Sequence, residues 1–321
     1  MSNKWRTELQ LSLAEPVIHH HDRLMFLGSC FSENITARCS YFGLRAQKNP
    51  VGILYNPVSI ARVLTMLVNK ESLDEASIIE RDSMYVYDHF HGDFNAKSKK
   101  ELVEKWTRCI DSFHVFWAKA KFLLVTLGSA NVYTKRQTGD IVGNCHKQPS
   151  KVYEKSTLSI QKISDSLRQI HSLCVESELP KELILTCSPV RHLRDGFLEN
   201  SKSKAHLLSG IHQVVYSTTA VYFPSYELMI DDLRDYRFYK DDLLHPTDRA
   251  VDYIWEKFSD RFFDSKTKEL NRSVEKLRKQ QLHRSFHENS EANRRFQLKI
   301  RETEKMLIKQ HPYLAETIEN K

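Results

Sequence analysis

Leu24-Met25-Phe26-Leu27-Gly28-Ser29-Cys30-Phe31 sets the architecture of the chain. Four apolar residues, with Arg23 before them and Gly28 after, fit a central parallel strand that is covered on both faces. Ser29 then stands at the carboxyl end of that strand. The next stretch, Ser32-Glu33-Asn34-Ile35-Thr36-Ala37-Arg38, has few strand formers and neither Gly nor Pro, so a helix starts within two or three positions of Ser29. Ligands of open α/β sheets bind at this edge, facing helix N-termini. Either Ser29 is presented to a pocket, or it caps the helix as serines often do. The stretch alone leaves both open.

The pattern recurs along the chain. Lys121–Leu127 reads as a second buried strand ending in Gly128-Ser129-Ala130-Asn131, and Glu182–Cys187 as a third, ending in Ser188-Pro189-Val190-Arg191-His192. Shorter extended pieces are expected at Leu44–Gln47, Val221–Pro224 and Tyr236–Tyr239, with a strand or hairpin at Ser83–Tyr87. Helical periodicity covers Val58–Val68, Lys99–Lys119, Leu158–Cys174 and His206–Thr219, and a last core helix is expected to open at Asp241–Thr247 and run to Phe263. Two Asn-Pro pairs, Asn49-Pro50 and Asn56-Pro57, hold an extended or turning loop around Gly52, whose amide is free to approach a ligand. Strands and helices alternating at crossover spacing predict an α/β fold with a mainly parallel, doubly covered sheet.

Composition bounds the function. The 321 residues are 40% hydrophobic and 28% charged, an ordinary globular balance. The net charge of +7 is uneven: residues 264–321 hold 14 Lys/Arg against 9 Asp/Glu, leaving the first 263 residues nearly neutral. A domain over 1–263 followed by a basic helical tail over 264–321 is therefore expected. Leu270, Val274 and Leu277 form one apolar stripe of the tail, and Phe296, Ile300 and Leu307 another, with a break near Asn289-Ser290. These helices fold back on the domain or pair with a partner or a second copy. No core segment concentrates basic residues with aromatics, which argues against nucleic acid. No apolar stretch reaches membrane-span length, and the first eight residues lack a secretion leader's apolar core, so a cytoplasmic location without membrane contact is expected. Six scattered cysteines suit buried thiols better than zinc or disulfides. His19-His20-His21 reads as a solvated loop, since adjacent residues do not converge on one ion. Neither metal nor organic cofactor is called for.

A serine hydroxyl needs a base to take its proton, and a histidine does this well when a carboxylate fixes its tautomer. Asp242 and His245, three residues apart before the last core helix, can point to one side of a turn. Cys30 is a competing nucleophile, expected to pack inward. Ser188 and His192 form another pair, but Ser-Pro at a strand end reads as a turn that lines a pocket. Lys147 and Arg191 are either solvated or hold an anionic substrate.

Taken together, Gly28-Ser29-Cys30-Phe31-Ser32, Asn49-Pro50-Val51-Gly52-Ile53-Leu54-Tyr55-Asn56-Pro57 and Asn144-Cys145-His146-Lys147 resemble the GSCFA branch of the SGNH or GDSL-like hydrolase superfamily, over roughly residues 5 to 262. The resemblance implies a flavodoxin-like three-layer α/β/α fold, with the 264–321 helices as a C-terminal extension. It implies Ser29 as nucleophile, His245 as base and Asp242 as its orienting partner. It also implies an oxyanion hole from the Ser29 amide, the Gly52 amide and Asn131. Here asparagine follows Gly128 one residue later than the superfamily's Gly-x-Asn, and Asn144 or His146 is the alternative donor. Asn56, Asn144, His146 and Ser188 are expected around the pocket. The implied activity is ester hydrolysis through an acyl-serine, on a small acyl ester such as an O-acylated carbohydrate. Transfer of the acyl group to a sugar hydroxyl is one alternative, and a non-catalytic binding module built on a degenerate pocket is another.

Overall fold

The structure, a computed structural model, describes residues 7–282 and 290–318. Residues 1–6, which hold most of the stretch read as no secretion leader, and Asn289, read as part of a helix break, lie outside the described residues. In chain order the elements are β1 (Arg23–Gly28), α1 (Cys30–Tyr41), β2 (Arg45–Lys48), α2 (Pro57–Val68), β3 (Ile78–Arg81), β4 (Met84–Tyr87), α3 (Lys99–Trp117) and β5 (Phe122–Leu127). There follow β6 (Asn131–Lys135), β7 (Ile141–Val142), β8 (Tyr153–Thr157), α4 (Ile160–Val175), β9 (Glu182–Cys187), α5 (Gly196–Ser217) and β10 (Val221–Tyr222). The chain ends with α6 (Ser225–Glu227), α7 (Asp248–Phe262), α8 (Ser265–Leu282), α9 (Glu291–Gln310) and α10 (Ala315–Ile318).

Five strands form the main sheet in the order β10-β9-β5-β1-β2, and every pair is parallel. Side chains alternate across each strand. Met25 and Leu27 of β1, Leu123 and Val125 of β5, and Leu183 and Leu185 of β9 join one core cluster with α2, α3, α4 and α5. Leu24, Phe26, Phe122, Leu124 and Ile184 face the other way, into a second cluster with α1 and α7. Two buried faces explain why these strands read as continuous apolar runs, and they make three layers, α/β/α. The order is that of a flavodoxin-like sheet: the chain leaves β1 for β2 on one side and returns to β5 on the other. Ser29, directly after β1, therefore lies at the switch point.

Outside the sheet the reading was incomplete. Residues 131–157, where the sequence predicts no strand, carry a small antiparallel sheet ordered β7-β6-β8. α5 starts ten residues before the expected His206, because its first turns are polar or exposed and give no apolar period. Tyr236–Tyr239 is not a strand: Asp235 accepts the Arg237 amide at 2.8 Å and winds Tyr236–Phe238 into a 3-10 turn. The last core helix opens at Asp248, capped by Thr247, so Asp242 and His245 occupy the turn before it.

In the tail, Leu270, Val274 and Leu277 pack against Ile300, Leu307, Leu314 and Ile318. The tail is tied to the domain where Glu316 meets Arg23 at 3.2 Å and Thr317 Oγ1 donates to the Gly43 carbonyl at 3.1 Å. The three adjacent histidines diverge: His19 meets Asp264, while His20 sits between the Phe42 carbonyl and the Tyr313 hydroxyl. Among the described residues no helix is long and apolar enough to cross a membrane.

Candidate active site

The site begins with a backbone constraint. Gly28 has φ +127°, and a Cβ there would lie 2.1 Å from the Thr126 carbonyl oxygen, so only glycine lets β1 run against β5 to its end. Asn49 braces this turn, its Oδ1 accepting the Gly28 amide at 2.8 Å and its Nδ2 donating to Ser32 Oγ at 3.2 Å. Ser29 follows at the N-cap position of α1, fully buried, yet its side chain makes no capping bond. Its Oγ has no hydrogen-bond partner among the described residues. An alcohol left unsatisfied in a dry site costs roughly 1–3 kcal/mol, and such exceptions gather where chemistry is done.

The turn before α7 makes the second half. Asp242 Oδ1 accepts the amides of Leu244 and His245 at 2.8 and 2.9 Å, and Oδ2 receives Nδ1–H of His245 at 2.7 Å. These bonds, the His245 amide foremost, hold the Asp242 carboxyl down at about 2. With its proton on Nδ1, His245 offers Nε2 as the acceptor. Leu243 reaches the left-handed region at φ +58° to close the turn. The Arg191 amide donates to the Leu244 carbonyl at 3.2 Å, fastening this turn to the loop after β9. No hydrogen bond joins His245 to Ser29: the Asp–His pair is formed, and the Ser–His bond is not.

Beside the strand ends lies a cavity of about 660 Å³, whose lining includes Tyr55, Asn56, Asn131, Tyr133, Asn144 and His192. Of the three expected oxyanion donors, the two backbone amides are hydrogen-bonded within the backbone. The Ser29 amide extends the β1–β5 ladder by donating to the Thr126 carbonyl at 3.0 Å. The Gly52 amide closes its own turn onto the Asn49 carbonyl at 2.8 Å, with the His91 side chain packed over its Cα. Asn131 reaches the cavity wall, where its Oδ1 accepts from Thr157 Oγ1 at 2.9 Å, a bond that does not occupy its Nδ2–H donors. Asn56 caps α2 through Ser59, and Asn144 accepts the His146 amide. His146 and Ser188 do not line the cavity. The first is buried against the Tyr87 carbonyl at 3.1 Å, and Ser188 Oγ accepts the Val190 amide at 3.3 Å.

The GSCFA family model matches residues 23–258, from the first residue of β1 into α7, and so spans Ser29, Asp242 and His245. The chain belongs to the GSCFA family. No curated protein matches it. Among solved structures it is similar to a carbohydrate esterase family 3 protein from Talaromyces cellulolyticus, at 10% identity and a TM-score of 0.36, over 78% of this chain and 98% of that one.

Two further groups belong to this GSCFA site: His192, weighed in the sequence as a pair with Ser188 and read as part of a pocket-lining turn, and Lys204, which the sequence does not mark. His192 Nε2 is buried without a partner among the described residues, and its ring meets Tyr55 edge-on at 5.2 Å. Burial first, then the nearby Lys204 and His245 charges, hold its imidazole down at about 4, so it is neutral at physiological pH. A methyl on Gly128 would lie 3.2 Å from His192 Nε2 and 3.2 Å from Ser29 Cβ, so the imidazole and the serine both close on the space that the missing side chain leaves. Lys204, from α5, is 2% exposed and donates from Nζ to the Gly128 and Ser188 carbonyls at 2.8 and 2.7 Å, fastening the ends of β5 and β9. Burial lowers its pKa. The signal for His192 was its place five residues beyond a buried strand's end; nothing in a lone lysine of an α5 sequence announces burial. Cys30 is no rival to Ser29, since burial, and then Glu33, raises its thiol pKa and keeps it protonated.

Proposed function

We propose that this GSCFA protein is a serine ester hydrolase. Ser29 Oγ carries the reading: a buried alcohol at the switch point of a parallel sheet, in a capping position, that neither caps nor bonds elsewhere. His245 Nε2 removes the Ser29 proton as Oγ attacks the ester carbonyl carbon, while Asp242 holds Nδ1–H and stabilises the imidazolium. The tetrahedral adduct collapses, the C–O bond to the alcohol breaks, and His245 returns the proton to the departing alcohol. Water, deprotonated by His245, then attacks the acyl carbon, the bond to Ser29 Oγ breaks, and His245 returns the proton to Oγ as the acid leaves. Catalytic hydrogen bonds are often long in unliganded enzymes and close only around substrate, which is the movement this reading asks of the Asp242–His245 turn.

The cavity supports a polar, ring-bearing alcohol as leaving group, such as the sugar of an O-acylated carbohydrate. Tyrosine faces and amide side chains line it. Its volume of about 660 Å³ exceeds what a short acyl group needs, and this favours, as a second reading, transfer of the acyl group to a bound sugar hydroxyl. The test is turnover of p-nitrophenyl acetate together with fluorophosphonate labelling mapped by mass spectrometry. Label on Ser29 and abolished turnover in Ser29→Ala are expected; unchanged turnover in that variant would rule the reading out. Acceleration by added sugar with formation of its ester would favour transfer.

A further inference from the structure

Resting on the hydrolase reading, we infer that His192 is the side-chain donor of the oxyanion hole, its neutral Nε2–H bonding the oxygen that becomes negative when Ser29 attacks. Three observations converge on it. Both Ser29 Oγ and His192 Nε2 are sealed from solvent with no partner among the described residues, and Ser29 Cβ and His192 Nε2 close on the same space beside Gly128. His192 lines the cavity, so a substrate held there can meet its ring. Two backbone donors that would otherwise serve, the Ser29 and Gly52 amides, are engaged inside the backbone.

A donor to a developing oxyanion must hold its proton without being an acid strong enough to give it up in the ground state. A neutral imidazole meets this, since its N–H is polar and only very weakly acidic. Lys204 keeps it so. The ammonium is buried behind Gly128 with two carbonyls and, among the described residues, no carboxylate, so a second positive charge on His192 is opposed. His192 is further fixed at its backbone, where its amide donates to Asn200 Oδ1 at 2.9 Å, and at its face by the Tyr55 ring. The imidazole is therefore pre-oriented in a dry setting, where a hydrogen bond to a charge is strongest. His245, exposed and paired with Asp242, keeps the separate task of moving the proton.

The experiment compares wild type with His192→Ala and His192→Gln, using p-nitrophenyl acetate from pH 5 to 9 and measuring the rate of fluorophosphonate labelling of Ser29. His192→Ala is expected to lower kcat by about a hundredfold to a thousandfold with KM within a few-fold, the usual loss for one such donor. The pH midpoint set by the base should stay in place, and His192→Gln, which restores an N–H at similar reach, should recover part of the loss. A kcat in His192→Ala within threefold of wild type, or a loss confined to KM, overturns the inference while leaving the hydrolase reading intact. So does a moved pH midpoint in His192→Gln, which would make His192 the base. A wild-type protein that neither turns over ester nor takes the label on Ser29 overturns both.

Discussion

Asn49 Oδ1 accepts the Gly28 amide hydrogen at 2.8 Å, across a span of 21 residues, and thereby fixes the backbone from which Ser29 leaves β1. Asn49→Leu leaves that buried N–H unpaired and Ser32 Oγ without its donor. The expected loss is about 1–3 kcal/mol of stability. Turnover should fall further than the fraction folded accounts for, because the nucleophile is displaced. Asn49→Asp, which keeps the acceptor, should be milder in urea melts. Equal melting midpoints for Leu and wild type would contradict this role.

Asp242 acts through one ring nitrogen. Asp242→Asn can turn its amide toward Nδ1 and stabilise the wrong tautomer, so kcat is expected to drop by roughly 10³–10⁴. Both side chains are about half exposed, so thermal stability should barely move. Asp241→Asn, which removes a neighbouring carboxylate that takes no part in these bonds, serves as the control and should retain full activity. Matching rates for the two variants would remove Asp242 from the mechanism.

Gly28→Ala tests the register of β1 against β5. The substituted Cβ meets backbone oxygen at 2.1 Å, and nothing flexible is there to give way. Backbone strain of this kind costs on the order of 1–3 kcal/mol before any separation of the strands is counted. The variant should melt well below wild type or fail to fold, and a circular dichroism melt within 2 °C of wild type would show that the turn relaxes freely.

Acid should unfold the protein through its buried histidines. Burial is the chief cause that holds His20, His89 and His192 near 4 in the folded state, against 6.5 for a free imidazole. Between those values the unfolded chain binds more protons than the folded one, so stability is lost as pH falls from about 6.5 toward 4 and is level above that window. Melting temperature measured from pH 7.5 to 4.5 should decline accordingly. His89→Gln, outside the proposed catalytic set, should flatten part of the decline; an unchanged slope would assign the acid sensitivity elsewhere.

Cys30 adjoins Ser29, the proposed nucleophile, but is kept as a thiol by burial. Iodoacetamide at pH 7.5 should leave turnover intact, and Cys30→Ala should keep activity within a few-fold. Loss of activity on alkylation that tracks modification of Cys30 would make the thiol, not Ser29, the reacting group.

The residues themselves determined the layered sheet. Apolar runs at Leu24–Leu27, Lys121–Leu127 and Glu182–Cys187, separated by helical periods, can be satisfied only by parallel strands covered on both faces, because every side chain along them must leave water. The Asp-x-x-His spacing likewise made the pairing of Asp242 and His245 a local matter, settled within one turn. Residues 131–157 were not legible in this way, since polar strands on an antiparallel edge carry no buried period. Three things were decided by tertiary structure alone. These are which amides remain free, since the Ser29 donor is taken up by the Thr126 carbonyl of another strand; which charge lies buried, as Lys204 does; and which imidazole is brought to Gly128 beside Ser29. Hydrogen-bond partners and desolvation depend on what the folded chain packs against each group, and residues 29, 128, 192 and 204 meet only after five strands have found their order.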